Sequence, residues 1–201
     1  MLELAIETSS TRGSIALGNA RAVSQEIVFG GGGGTMGRHS EWLFPELLKF
    51  GLPRLQLTRV VVGLGPGSFA GIRVALAAAQ AIAEVQGVPV YGVPSTHALG
   101  CRLRHVTRLG VFADAKRGEL YCTVYRRGEL ERDTYLIPAG QLEDEMSRMT
   151  LAVSAEPLGN VPQQDQPSAG DLLRLPHHFP GWRIGWDLEP IHLRAPLATM
   201  K

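Results

Sequence analysis

Short apolar blocks separated by polar turns open the chain, and this pattern predicts three strands in a row. "LELAI" is followed by the polar stretch "ETSSTRGS", a turn containing Gly13, and then by "SIALG" and "AVSQEIVF". Strands joined by short turns make an antiparallel meander. The period then changes. "RHSEWLFPELLKFG" places Leu43, Leu47 and Phe50 at i, i+4 and i+7, the apolar stripe of a helix. Ser40 suits its N-terminal cap, Pro45 belongs in its first turn or kinks it, and Gly51 and Pro53 stop it. "LTRVVVGL" is a continuous apolar run, as in a strand buried on both faces. A long helix capped by Ser68 and ended by Gly87 and Pro89 follows, and "VPVYGV" reads as the next strand.

The second half repeats this order. "LGVFADA" is a strand and "KRGEL" a turn; "LYCTVYRRGELERDTYLIP" is a hairpin turning at Arg127 and Gly128. "AGQLEDEMSRM" reads as a helix, "TLAVSA" as a strand and "AGDLLRLPHHF" as a short helix. The order βββαβα therefore occurs twice. Glu7 and Asp114 each close the first strand of their half, and each precedes a glycine turn, at Gly13 and Gly118. A meander with crossover helices is the RNase-H-like plan. Two facing copies predict an α/β protein of the two-lobed actin-like ATPase (ASKHA) fold, with tandem mixed sheets flanked by helices. The expected lobes are residues 1–98 and 99–201, the tail packing back on the first. Fold alone does not give function.

Composition narrows the classes. Of 201 residues, 44% are hydrophobic and 19% charged, which supports a packed core rather than disorder. A net charge of +1 excludes a strong overall field for nucleic acid or membrane lipid. Cys101 and Cys122 have no CxxC spacing and read as buried free thiols. The start "MLELAIETSS" lacks a basic leader, and no run approaches the ~20 apolar residues of a membrane span, so a cytoplasmic protein is expected. The glycine run at 30–34 lacks the GK[ST] ending of a phosphate loop and reads as a linker.

The block "VVVGLGPGSFAGIRVALAAAQ" carries the candidate chemistry, and three readings compete. A dinucleotide site would need G-x-G-x-x-G and an acid at the end of the next strand; Gly65, Gly67 and Gly71 have a longer spacing, and "VPVYGVPSTH" ends without an acid. An ATP site of the kinase-like fold would use Glu7 and Asp114 for magnesium and glycine turns for phosphate. Contact there would be weak and would involve Glu7, Thr8, Gly65, Gly67, Ser68 and Asp114. The third reading is packing. Arg73, Gln80 and Glu84 form a narrow polar line on the long helix; Ile72, Leu76 and Ala79 suit the sheet, and Gly71, Ala75, Ala78 and Ile82 form a second smooth face. Small residues there let another helix approach closely, from this chain or from a partner.

"LAIETSSTRGSIAL", "RHSEWLFPELL", "VVVGLGPGSFAGIRVALAAAQAIA", "DAKRGELYCTVY" and "PIHLR" resemble, in that order, the TsaB (YeaZ) family. Glu7 stands where the family usually has Asp, Ala70 where it has Thr and His192 where it has Tyr; the glycine run is atypical and the second lobe short. The resemblance implies the actin-like fold and a noncatalytic, scaffolding subunit in formation of N6-threonylcarbamoyladenosine at tRNA position 37. It implies a catalytic TsaD-like paralogue as partner, a TsaE-like ATPase, a homodimer when alone, and tRNA reached through the complex. ATP and magnesium would serve the complex, with no cofactor held tightly by this chain. The implied interface lies on the first two helices, at His39, Leu43, Leu47, Gly71, Ala75, Ala78 and Ile82.

Metal binding is not expected, because the chain lacks the H-x-x-x-H pair of the catalytic paralogue: His39 is alone, His97 and His105 are far apart, and His177 and His178 are adjacent. Arg102, His105 and Arg108 read as one basic helix face, a candidate RNA contact. "WRIGWDLEPIHLR" is expected to dock the C-terminus on a lobe. An ATP-dependent phosphotransferase of the same fold and a self-sufficient homodimeric binding module are the alternatives.

Overall fold

A computed structural model describes residues 1–30, 39–176 and 179–193, and two mixed sheets organise them. The predicted meander is present as β1 (Leu2–Glu7), β2 (Arg12–Gly18) and β3 (Val23–Gly30). Ala5 lies opposite Ala16 and Ile6 opposite Ile15. Helix α1 (His39–Lys49) leads through a 3-10 turn to β4 (Leu57–Gly63), which pairs parallel with β1. Helix α2 (Phe69–Gln86) crosses to β5 (Val90–Val93), parallel with β4. As expected, Ser68 caps α2 by accepting from the Gly71 amide, and Gly87 ends it in the left-handed region.

Helix α3 (Thr96–Arg102) connects to the second sheet. There β6 (Leu109–Lys116), β7 (Glu119–Arg126) and β8 (Glu129–Pro138) form the second meander, with the hairpin turn at Arg127 and Gly128. A short helix α4 (Leu142–Met146) returns to β9 (Leu151–Ser154), parallel with β6, and β10 (Gln163–Gln164) adds an edge. The chain then crosses back. Helix α5 (Ala169–Arg174) and β11 (Arg183–Ile184) both join the first lobe. The sheet orders are β11-β5-β4-β1-β2-β3 and β10-β9-β6-β7-β8.

Alternation along the strands divides the first lobe into two layers. Leu4, Ile6, Ile15, Val60 and Val62 pack with Leu43 and Leu47 of α1 and with Ala75, Ala78 and Ala79 of α2. Ala5, Ala16 and Val61 point the other way, onto Leu172 and Leu173 of α5. The unbroken apolar run of β4 is thus explained: helices cover both faces.

The structure corrects several expectations. Helix α5 covers the first sheet, so the boundary at residue 98 does not hold for it; its Leu172 and Leu173 fill the face left open by α1 and α2. Gly13 lies within β2 rather than in a turn, paired opposite Phe29 of β3, whose ring a Cβ there would meet at 2.2 Å. Ser40 lies inside α1, which begins at His39, and Pro45 sits in the helix interior, where it has no amide to give the Glu41 carbonyl. The helix expected over 139–149 shrinks to a 3-10 turn and the five residues of α4. Helix α3 ends at Arg102, so His105 and Arg108 share no helix face with it. Residues 31–34 of the glycine run, His177, His178 and the side chain of His39 lie outside the described residues.

Candidate functional site

The glycine loop between β4 and α2 is tied to the first turn of the fold. The Ser68 amide donates to the Ser9 carbonyl at 2.7 Å, and the Thr8 hydroxyl donates to the Gly71 carbonyl at 2.9 Å. Gly65 exchanges two bonds with Ser95: its amide donates to the Ser95 hydroxyl, and its carbonyl accepts from the Ser95 amide. Gly67 is required by close approach, since a Cβ there would lie 2.1 Å from the Ser9 carbonyl oxygen. The Gly65 and Ser68 amides of this loop thus serve internal contacts.

The six residues read as nucleotide contacts do not converge. Gly67, Ser68 and Asp114 line a cleft of about 230 Å³ between the lobes, together with Ser9, Lys116 and Glu156. Glu7, Thr8 and Gly65 are buried behind it. Glu7 is 0% exposed, and its Oε1 accepts from the Ser9 amide at 2.6 Å. Its Oε2 has no hydrogen-bond partner and sits against Gly63. Burial pushes the Glu7 carboxyl above the usual carboxylate range, against the opposing effect of hydrogen bonding at Ser9. This placement does not suit a magnesium ligand. Asp114 is exposed and paired with Lys116 at 2.7 Å.

The Glu7 shift has a measurable sign. A carboxyl whose pKa is higher in the folded than in the unfolded chain holds more protons when folded. Stability therefore falls as pH rises from the ordinary carboxylate range through the folded value. Glu7→Gln keeps an acceptor for the Ser9 amide and removes the titration. Its denaturation curves should lose this downward slope, and its advantage over the wild type should grow with pH. Parallel pH profiles would show that Glu7 does not titrate in that window.

Most of the residues expected at the interface are covered within the chain itself. Leu43, Leu47, Gly71, Ala75 and Ala78 are buried within this chain, Ala75 at 0% and Ala78 at 3% exposure, and Ile82 is half-buried against the same cluster. They form the seam joining α1, α2 and the sheet. The outward stripe of α2 is Ala70, Arg73, Ala77, Ala81, Glu84 and Val85. Phe44 at 49% and Leu48 at 77% exposure face outward from α1, and Val85 is 86% exposed. The signal was present in the sequence: Arg73, Ala77, Ala81 and Val85 follow one another at i+4, beside Glu84.

The remaining candidates have structural partners. Arg102 pairs with Asp165 and Asp171, and Arg108 with Glu131, so neither is a spare cation for RNA. His97 bridges the lobes: Nε2 donates to the Pro180 carbonyl and Nδ1 lies 2.6 Å from the Tyr125 hydroxyl, while burial pushes its pKa down to about 4. Cys101 and Cys122 are free thiols. The tail docks as expected: β11 pairs with β5, the Ile191 amide donates to the Leu64 carbonyl, and the Gln80 side chain donates to the Trp186 carbonyl. Glu156, which reaches the first turn from the second lobe, had no sequence signal beyond standing before Pro157.

Comparison with known proteins agrees with this architecture. A family model described as TsaD, tRNA N6-adenosine threonylcarbamoyltransferase, matches residues 37–166. An uncharacterized protein of Mycobacterium leprae is 43% identical over 94 residues, covering 45% of this chain and 26% of its own length. The tRNA threonylcarbamoyladenosine biosynthesis protein TsaB of Escherichia coli is 31% identical over 133 residues, covering 63% of this chain and 55% of its own. The match thus spans little more than half of either relative at most. YeaZ from Pseudomonas aeruginosa shares the fold with a TM-score of 0.64 at 22% identity, over 86% of this chain and 89% of that one. Two lobes built on β-meanders, the glycine loop packed under the first turn and the family model over residues 37–166 together place the chain in the TsaD-type tRNA N6-adenosine threonylcarbamoyltransferase family.

Proposed function

We propose that the chain acts in the biosynthesis of N6-threonylcarbamoyladenosine in tRNA, as a noncatalytic subunit that binds a TsaD-type catalytic paralogue. The observation that carries this reading is the outward flank of α1 and α2. Phe44 and Leu48 on one helix, and Ala77, Ala81 and Val85 on the other, present apolar side chains to solvent from two helices that pack against each other. Small residues on α2 allow close approach of a partner helix, and covering the larger side chains supplies the driving force. Arg73 and Glu84 border the strip and set its register through charge.

The noncatalytic role is supported by the state of the first turn. The Ser9 and Thr11 amides, which an ATP phosphate would seek, are bonded to the chain's own Glu7 and Glu156. In this reading ATP, magnesium and a TsaE-type ATPase belong to the assembled complex, tRNA is reached through it, and the same flank pairs two copies when the partner is absent. The experiment is co-elution with the TsaD-type protein of the same organism. Wild-type chain is expected to co-elute, and Ala77→Arg, on the exposed side of α2, is expected to elute alone as a folded protein. A wild-type chain that elutes alone would remove the reading.

A further inference from the structure

A carboxylate of the second lobe reaches across the cleft to the first. Strand β9 ends at Ser154, and the loop after it is held at three points. The Ser154 hydroxyl donates to the Glu156 carbonyl at 2.5 Å, the Gln166 side chain donates to the Ala155 carbonyl at 3.0 Å, and the Asp165 amide donates to the Ser154 carbonyl at 3.0 Å. Pro157 restricts Glu156 to extended backbone. From this braced position the Glu156 side chain reaches the first lobe. Its Oε1 accepts from the Thr11 amide at 2.6 Å and its Oε2 from the Thr11 hydroxyl at 3.1 Å. Thr11 falls between β1 and β2, outside both ladders, so its amide is not used by the sheet.

We propose that Glu156 is an interlobe latch: it holds the second lobe against the first turn and occupies the Thr11 donors that would otherwise be open to an external oxyanion. A carboxylate tethered in place competes with a dissolved anion at a high effective concentration. Its two bonds are charge-assisted, which makes them the stronger kind. The cleft behind it keeps Ser9, Ser68, Asp114 and Lys116 as its polar lining. The latch therefore keeps the cleft closed to phosphate in the free chain, and releasing it changes two properties together: the mobility of the turn and its access to anions.

Amide NMR on the full chain tests this with Glu156→Ala and Glu156→Gln. Losing a charge-assisted bond of this kind should speed Thr11 amide exchange by about tenfold or more in the alanine variant. Inorganic phosphate at constant ionic strength should then shift the Thr11 resonance saturably in that variant and leave the wild type unmoved. The glutamine variant keeps a neutral acceptor and should fall between the two. Protection of the Val60, Val61 and Val62 amides reports that the core is intact; if it drops in the alanine variant, the glutamine variant carries the comparison. Unchanged Thr11 exchange, or equal phosphate shifts in wild type and variant, would overturn the latch.

Discussion

Ala78→Arg is expected to prevent folding, whereas Ala77→Arg leaves the fold intact. Ala78 is 3% exposed and shares its cluster with Leu43, Leu47, Val60 and Val62. A guanidinium placed there loses its water among apolar neighbours, a penalty on the order of 5 kcal/mol, comparable to the whole stability of many domains. Ala77 is exposed one position earlier on the same helix, where a long cationic side chain extends into solvent. Soluble yield and thermal unfolding followed by circular dichroism distinguish the pair. Equal behaviour of the two variants would mean that the seam between α1, α2 and the sheet has been assigned to the wrong face.

Gly67→Ala carries the second large effect. The added methyl would lie 2.1 Å from the Ser9 carbonyl oxygen and 3.0 Å from its carbonyl carbon, both backbone atoms. Relief requires moving the first turn, which is held by the Ser68 amide on that same carbonyl and by Glu7 on the Ser9 amide. A loss of roughly 3 kcal/mol in denaturant unfolding is expected. Gly140→Ala is the control, because it has open space around it and should change stability little. A Gly67 variant as stable as that control would show that the glycine loop is not packed under the turn.

Local signals in the sequence were enough for most elements of the fold. The β1–β3 and β6–β8 meanders follow from alternation and turn residues, and both ends of α2 follow from Ser68 and Gly87. Connections between distant segments were not legible. Helix α5 has the composition of a short second-lobe helix, but its Leu172 and Leu173 fill the uncovered face of the first sheet, and no local pattern records which sheet is short of a helix. For Pro45 the sequence left two places open, the first turn or a kink, and the structure takes the helix interior, because the apolar stripe shows that a helix exists but not where it starts.

The candidate site was legible in kind and displaced in detail. The small-residue character of α2 marked it as a packing helix. Alanine and glycine look alike whether they face a sheet, α1 or solvent, so Gly71, Ala75 and Ala78 were assigned outward although they close the internal seam. The bulky exposed residues Phe44, Leu48 and Val85 separate the two faces only once the helices are placed. Glu156 is the opposite case. It touches Thr11 across 145 positions of sequence, and nothing near either residue announces the other.

The most direct test of the partner flank is calorimetric titration of the TsaD-type protein with wild-type and Ala77→Arg chains, both shown to melt alike. The account predicts saturable binding by the wild type and an affinity at least tenfold weaker, by roughly 1.4 kcal/mol or more, for the variant. Equal affinities for two equally stable chains would place the partner elsewhere and contradict the role assigned to α1 and α2.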